Sequence, residues 1–86
     1  MALSRRPTVL RTIPTSGTPL RIGFDGKALW VTMTRPDGVL LFSSKNGAAK
    51  GKLNIHTDPY GIVYDGQSMW ITEFAADVVA KVTRTR

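Results

Sequence analysis

The feature that most constrains this chain is that it repeats itself. "IGFDGKALWVT" at 22–32 returns as "IVYDGQSMWIT" at 62–72, with Ile22/Ile62, Asp25/Asp65, Gly26/Gly66, Trp30/Trp70 and Thr32/Thr72 all offset by 40 positions. The same register aligns Pro19 with Pro59, Asp37 with Asp77 and Val39 with Val79, and it pairs Phe24 with Tyr64, Leu29 with Met69 and Val31 with Ile71. A gap-free repeat of this length marks solenoids, propellers and arrays, whose units bury apolar surface only by stacking on one another. Two units are too few to close such an array.

Length sharpens the point. At 86 residues and 42% hydrophobic composition the chain folds as one small domain at most, with a core of marginal size. Cysteine is absent, so neither a disulfide framework nor a thiolate metal site supplements that core. Association with further copies is what remains. The opening "MALSRRPTVLRTIPTSG" interrupts any apolar stretch with arginines and prolines, and the longest apolar runs, such as 39–42, are far too short to span a bilayer. The expectation is a soluble protein without a signal peptide or membrane partner, in a compartment that cysteine usage does not define.

Short apolar runs punctuated by turn residues predict β-strands throughout, with no segment of helical period. Eight are expected: 8–13, 20–24, 28–33, 39–44, 52–57, 60–64, 68–73 and 78–84, with turns at Asp25-Gly26, Asn46-Gly47 and Asp65-Gly66. Several, such as Ala28-Leu29-Trp30-Val31, are apolar on both alternating faces, which suits sheets covered on both sides. A β-propeller supplies that environment, and a single two-sheet sandwich is the alternative.

The stretch "PYGIVYDGQSMWITEFAADVVAKV" at 59–82 resembles a blade of the virginiamycin B lyase-like and NHL-type propellers. Its Pro-x-Gly-Ile start, Asp-Gly turn, Trp-containing strand ending in Thr-Glu and closing valine strand carry the likeness. Residues 19–42 share it less fully, with Arg21 in place of the Gly61-type glycine and Met33 in place of the Glu73-type acid. The resemblance implies an all-β propeller of two four-stranded blades per chain, numbered from the channel outward. One blade is complete at 20–57, the second lacks its outer strand, and 8–13 is an outer strand without a blade. Residues 1–7 then form a flexible basic N-terminus, and 8–86 the two blades with 8–13 exchanged between copies.

A ring of roughly four to eight blades needs two to four such chains. The expected assembly is a head-to-tail homotrimer of six blades, with a tetramer of eight blades, or a piece of a longer or designed propeller, as alternatives. Ile22, Trp30, Ile62 and Trp70 are expected core residues. The channel mouth is expected to gather Arg21, Met33, Arg35, Asp37, Glu73 and Asp77 as a ligand site, with three Arg21 side chains around the axis holding a small anion such as phosphate or citrate. The opposing expectation is that Arg21 reaches channel water or pairs with Asp37 or Glu73.

Other chemistry is thinly represented. No cofactor, metal or catalytic residue is assigned, because His56 is the only histidine, the Asp-Gly pairs lack the alternating acids of a calcium loop, and no phosphate loop precedes a helix. A binding or scaffold ring is therefore the first functional reading. A magnesium-dependent lyase, implied by the resemblance, is the second. A polyanion or nucleic-acid-binding ring is the third, resting on Lys45, Lys50 and Lys52 and on a net charge of +6, so that three chains carry +18.

Overall fold

A computed structural model describes residues 7–83. Residues 1–6 and 84–86 lie outside it, and with them most of the expected basic N-terminus and the end of the strand expected at 78–84. Seven strands form among the described residues: β1 (Thr18–Phe24), β2 (Ala28–Thr34), β3 (Gly38–Ser43), β4 (Ala49–Leu53), β5 (Pro59–Tyr64), β6 (Met69–Glu73) and β7 (Val78–Val82). The only helical turn among the described residues is the short 3-10 turn Phe74–Ala76.

These strands make two antiparallel meanders, a four-stranded sheet in the order β1-β2-β3-β4 and a three-stranded sheet in the order β5-β6-β7. The repeat is visible in the ladders: Ile22 pairs Val31 as Ile62 pairs Ile71, and Phe24 pairs Leu29 as Tyr64 pairs Met69. It is equally visible in the turns. Asp25 Oδ1 accepts the backbone N–H groups of Lys27 and Ala28 while its Oδ2 accepts the Trp30 indole N–H. Asp65 does the same for Gln67, Ser68 and Trp70. Gly26 and Gly66 follow at φ +94° and +103°, a region that glycine enters without steric cost.

Two expected strands differ. Residues 8–13 join no ladder within the chain, and Val9 and Leu10 stand 80% and 94% exposed. The sheet edges that the described strands leave open, such as that of β1, are not taken up by this segment. The strand expected at 52–57 runs instead from 49 to 53, because the turn closed by Gly47 N–H to Ser43 C=O and Ser43 N–H to Ala48 C=O starts the return pairing at once.

The two sheets stack face to face. Ala28, Trp30, Val39, Met69 and Ile71 form the buried centre, flanked by Leu41, Leu53, Ile55, Ile62, Tyr64 and Val82. Gly23 makes this approach possible on β1, since a Cβ there would meet the Ile62 side chain at 3.3 Å. Thr32, fully buried, ties the sheets polar-to-polar by donating from Oγ1 to the Tyr60 carbonyl at 2.9 Å. Burial of such a hydroxyl is tolerated because it is hydrogen-bonded.

Candidate functional site

One end of the two sheets carries the β2–β3 turn, the β4–β5 link and the 3-10 turn, and most of the expected site residues lie there. A carboxylate network holds these loops together. Asp37 Oδ1 accepts from Thr34 Oγ1 at 3.0 Å and its Oδ2 from the Asp58 backbone N–H at 2.9 Å. Thr57 Oγ1 donates to Glu73 Oε1, and the N–H groups of Phe74 and Ala75 reach the carbonyls of Asp58 and Thr57. Asp37 and Glu73 are thus fasteners of the loop end.

Arg21 is an exposed cation of this end. Its guanidinium lies over the Tyr60 ring, 4.5 Å from the centroid, and donates to the Tyr60 hydroxyl at 2.6 Å and to the Leu20 carbonyl at 3.2 Å. Neither Asp37 nor Glu73 is its partner, so the expected carboxylate pairing does not form. Beside it, Leu20, Thr34, Asp58, Tyr60 and Phe74 line a hollow of about 490 Å³, a size suited to a small ligand. Leu20 and Tyr60, like Thr34 and Phe74, are positions offset by 40 in the sequence that line the same hollow.

Met33, Arg35 and Asp77 divide differently. Met33 is completely buried, with the Ser16 hydroxyl against its sulfur, and so cannot belong to an open mouth. The alternation of β2 turns it away from Thr32 and under Gly17 and Gly38, each of which lies within 3.2 Å of its terminal atoms when given a Cβ. Arg35 and Asp77 are exposed on their turns, both with left-handed backbone at φ 53° and 56°. His56 is exposed on the β4–β5 link, and among the described residues no group of three or more potential metal ligands assembles.

At the other end, the Asp65 carboxyl is held down at about 2 by the Ser68 N–H, then by the Trp70 indole and the Gln67 N–H. Lys27, Lys45 and Lys50 border a hollow of about 360 Å³ at this same end, whereas Lys52, which lies on β4 as Lys50 does, lines a different hollow with Leu53 and Val82. The basic residues are therefore spread over two surfaces.

The sheets' outer faces are the other unusual surfaces. On β1–β4, Ile22 is 61% and Phe24 49% exposed, and Ile13, Ile22, Leu29, Val31 and Phe42 help line an apolar hollow of about 490 Å³. On β5–β7, Val63 and Val79 are exposed at 61% and 58%, and Trp70 is half-buried with the Lys81 ammonium 5.4 Å from its ring centroid. Of the expected core residues, Trp30 and Ile62 take that role. Ile22 and Trp70 do not within one chain, because each lies on a face that has no second sheet against it.

Sequence reasoning missed Tyr60 and the carboxylate-to-indole bond. The second had a signal, an aspartate five residues before tryptophan in both repeats; the first had none, since its counterpart is Leu20. No helix among the described residues is long and apolar enough to cross a membrane. No family model, curated protein or solved structure matches this chain.

Proposed function

We propose that this chain is a self-assembling unit of two propeller blades, that three copies close head-to-tail into a six-bladed ring, and that the ring serves as a binding scaffold with its ligand site at the loop-rich mouth. One observation carries this reading. Five residues that the second sheet packs around Trp30, namely Ile62, Tyr64, Met69, Ile71 and Val82, correspond at an offset of 40 to Ile22, Phe24, Leu29, Val31 and Phe42. Those five share the outer face of the first sheet. The face that receives Trp30 inside the chain is therefore duplicated on the outside, where Ile22 and Phe24 stand exposed while Val31 and Phe42 are buried beside the hollow that Ile13 and Thr15 help line, and Trp70 is the matching knob.

Edge matching supports the same assembly. The second sheet ends at β7, with a hollow of about 290 Å³ at its outer side lined by Leu53, Val82 and Thr83 among others. Residues 9–13 correspond at the same offset to β4, the strand that completes the first sheet. A neighbour's 8–13 added beyond β7 makes the second sheet four-stranded and covers an edge that would otherwise template aggregation. Because the interface is heterologous, closure needs a rotation that returns to the start, which a cyclic trimer provides.

The test uses the absence of cysteine. Gly23 lies against Ile62 inside the chain, so Val63 should lie against Ile22 of the next copy. An Ile22→Cys/Val63→Cys variant should oxidise to a covalently closed trimer without a free end. Disulfide formation within one chain, or none at all while each single variant stays folded, would refute the arrangement.

A further inference from the structure

We infer that Arg21 and Tyr60 form an oxyanion site that takes a multivalent carboxylate or phosphate where β1 adjoins β5. The inference relies on the ring reading only for its valency, since closure would bring three such pairs around one axis. Within one chain the pair is already arranged. Of the five N–H donors of a guanidinium, one goes to the Leu20 carbonyl and one to the Tyr60 oxygen. Because that phenol oxygen accepts, its own proton remains available to donate.

Every polar group that the pair still offers is therefore a donor. The carboxylates that would ordinarily neutralise Arg21 are held elsewhere, Asp37 by Thr34 and the Asp58 N–H, Glu73 by Thr57. With one N–H of each terminal nitrogen used, the Nε–H and the second N–H of each terminal nitrogen remain for a ligand, and guanidinium donors suit bidentate contact with carboxylate or phosphate. Arg35 adds an exposed positive charge on the neighbouring turn. One group opposes the site: the Asp58 carboxylate borders the same hollow as Tyr60, and its removal should tighten anion binding.

The experiment is titration of the full chain with citrate and with inorganic phosphate, followed by thermal denaturation and calorimetry against sodium chloride of equal ionic strength, with solution mass recorded for every variant. Citrate should stabilise the parent more than phosphate, and chloride should have no comparable effect. Arg21→Lys keeps the charge and loses the fork, and should bind about tenfold more weakly, the scale of one charge-assisted hydrogen bond. Tyr60→Phe should weaken binding by a smaller factor, and Asp58→Asn should strengthen it. Equal stabilisation of parent, Arg21→Lys and Arg21→Ala, or equal effects of citrate and chloride, would overturn the site. A monomeric parent that binds citrate and loses binding in Arg21→Lys would uphold the site and overturn the ring alone.

Discussion

Trp30 and Trp70 occupy the same register of two equivalent strands and give the same indole hydrogen bond to Asp25 and Asp65, at 2.9 and 2.7 Å. Only Trp30 is buried, at 2% exposure; Trp70 is half-covered, with Lys81 over its ring. The local sequence makes both strands and both turns. What differs is the neighbour: the first sheet has the second to cover its tryptophan, and among the described residues no sheet lies against the second one's own. The same asymmetry recurs in polar form. Thr32 Oγ1 accepts the Arg21 N–H and donates to the Tyr60 carbonyl, whereas the exposed Thr72 Oγ1 accepts the Gly61 N–H at 2.7 Å.

The largest expected effect comes from removing residues 1–14. If 8–13 completes a neighbour's second sheet, truncation should abolish the closed assembly and send the protein into aggregates, seen by light scattering. An unchanged mass and melting temperature would refute the exchange.

Next are the tryptophans themselves. Trp30→Ala should cost about 3–5 kcal/mol of unfolding free energy at any protein concentration, the scale for emptying a packed aromatic site. Trp70→Ala should cost a similar amount only where the protein is assembled, so its penalty should shrink on dilution. Equal, concentration-independent losses would mean that the second face is not covered by another copy.

Replacing the threonines gives a smaller contrast. Thr32→Val removes the hydrogen bonds that Oγ1 makes with the Tyr60 carbonyl and the Arg21 N–H, for a loss of about 1–3 kcal/mol in denaturant unfolding. Thr72→Val should match it in the assembled protein and have little effect in the dissociated chain.

The smallest effect is acid sensitivity. Asp65 has its carboxyl lowered from 3.8 to about 2 in the folded chain, so its contribution to stability is full above 3.8 and is lost as pH falls toward about 2. Asp65→Asn should remove that part of the pH dependence from acid denaturation curves. A variant with the same acid slope as the parent would show that the turn and indole bonds do not hold the carboxylate.

Much of the fold was legible because repeat and strand signals are local. The Asp-Gly turns fix where β1, β2, β5 and β6 reverse, but the repeat makes Ile22, Trp30, Ile62 and Trp70 equally strong core candidates, and only the stacking of the sheets selects Trp30 and Ile62. What was not legible depends on contacts between elements. Met33 reads as a mouth residue by analogy with Glu73, yet the approach of Gly17 and Gly38 encloses it. Arg21 was legible as an exposed cation. Its partner was not, because Tyr60 belongs to the other repeat and meets Arg21 only once the sheets stack. The segment 8–13 has strand composition, but composition cannot supply the edge it would pair with.

The central claim is that the two open faces meet on different copies and close a ring. Sedimentation or light-scattering mass of the full chain over a wide concentration range tests it most directly. Three chains of 9.4 kDa should give about 28 kDa, constant until dilution splits the ring. A single-chain mass throughout, or a mass that climbs without limit as concentration rises, would contradict it.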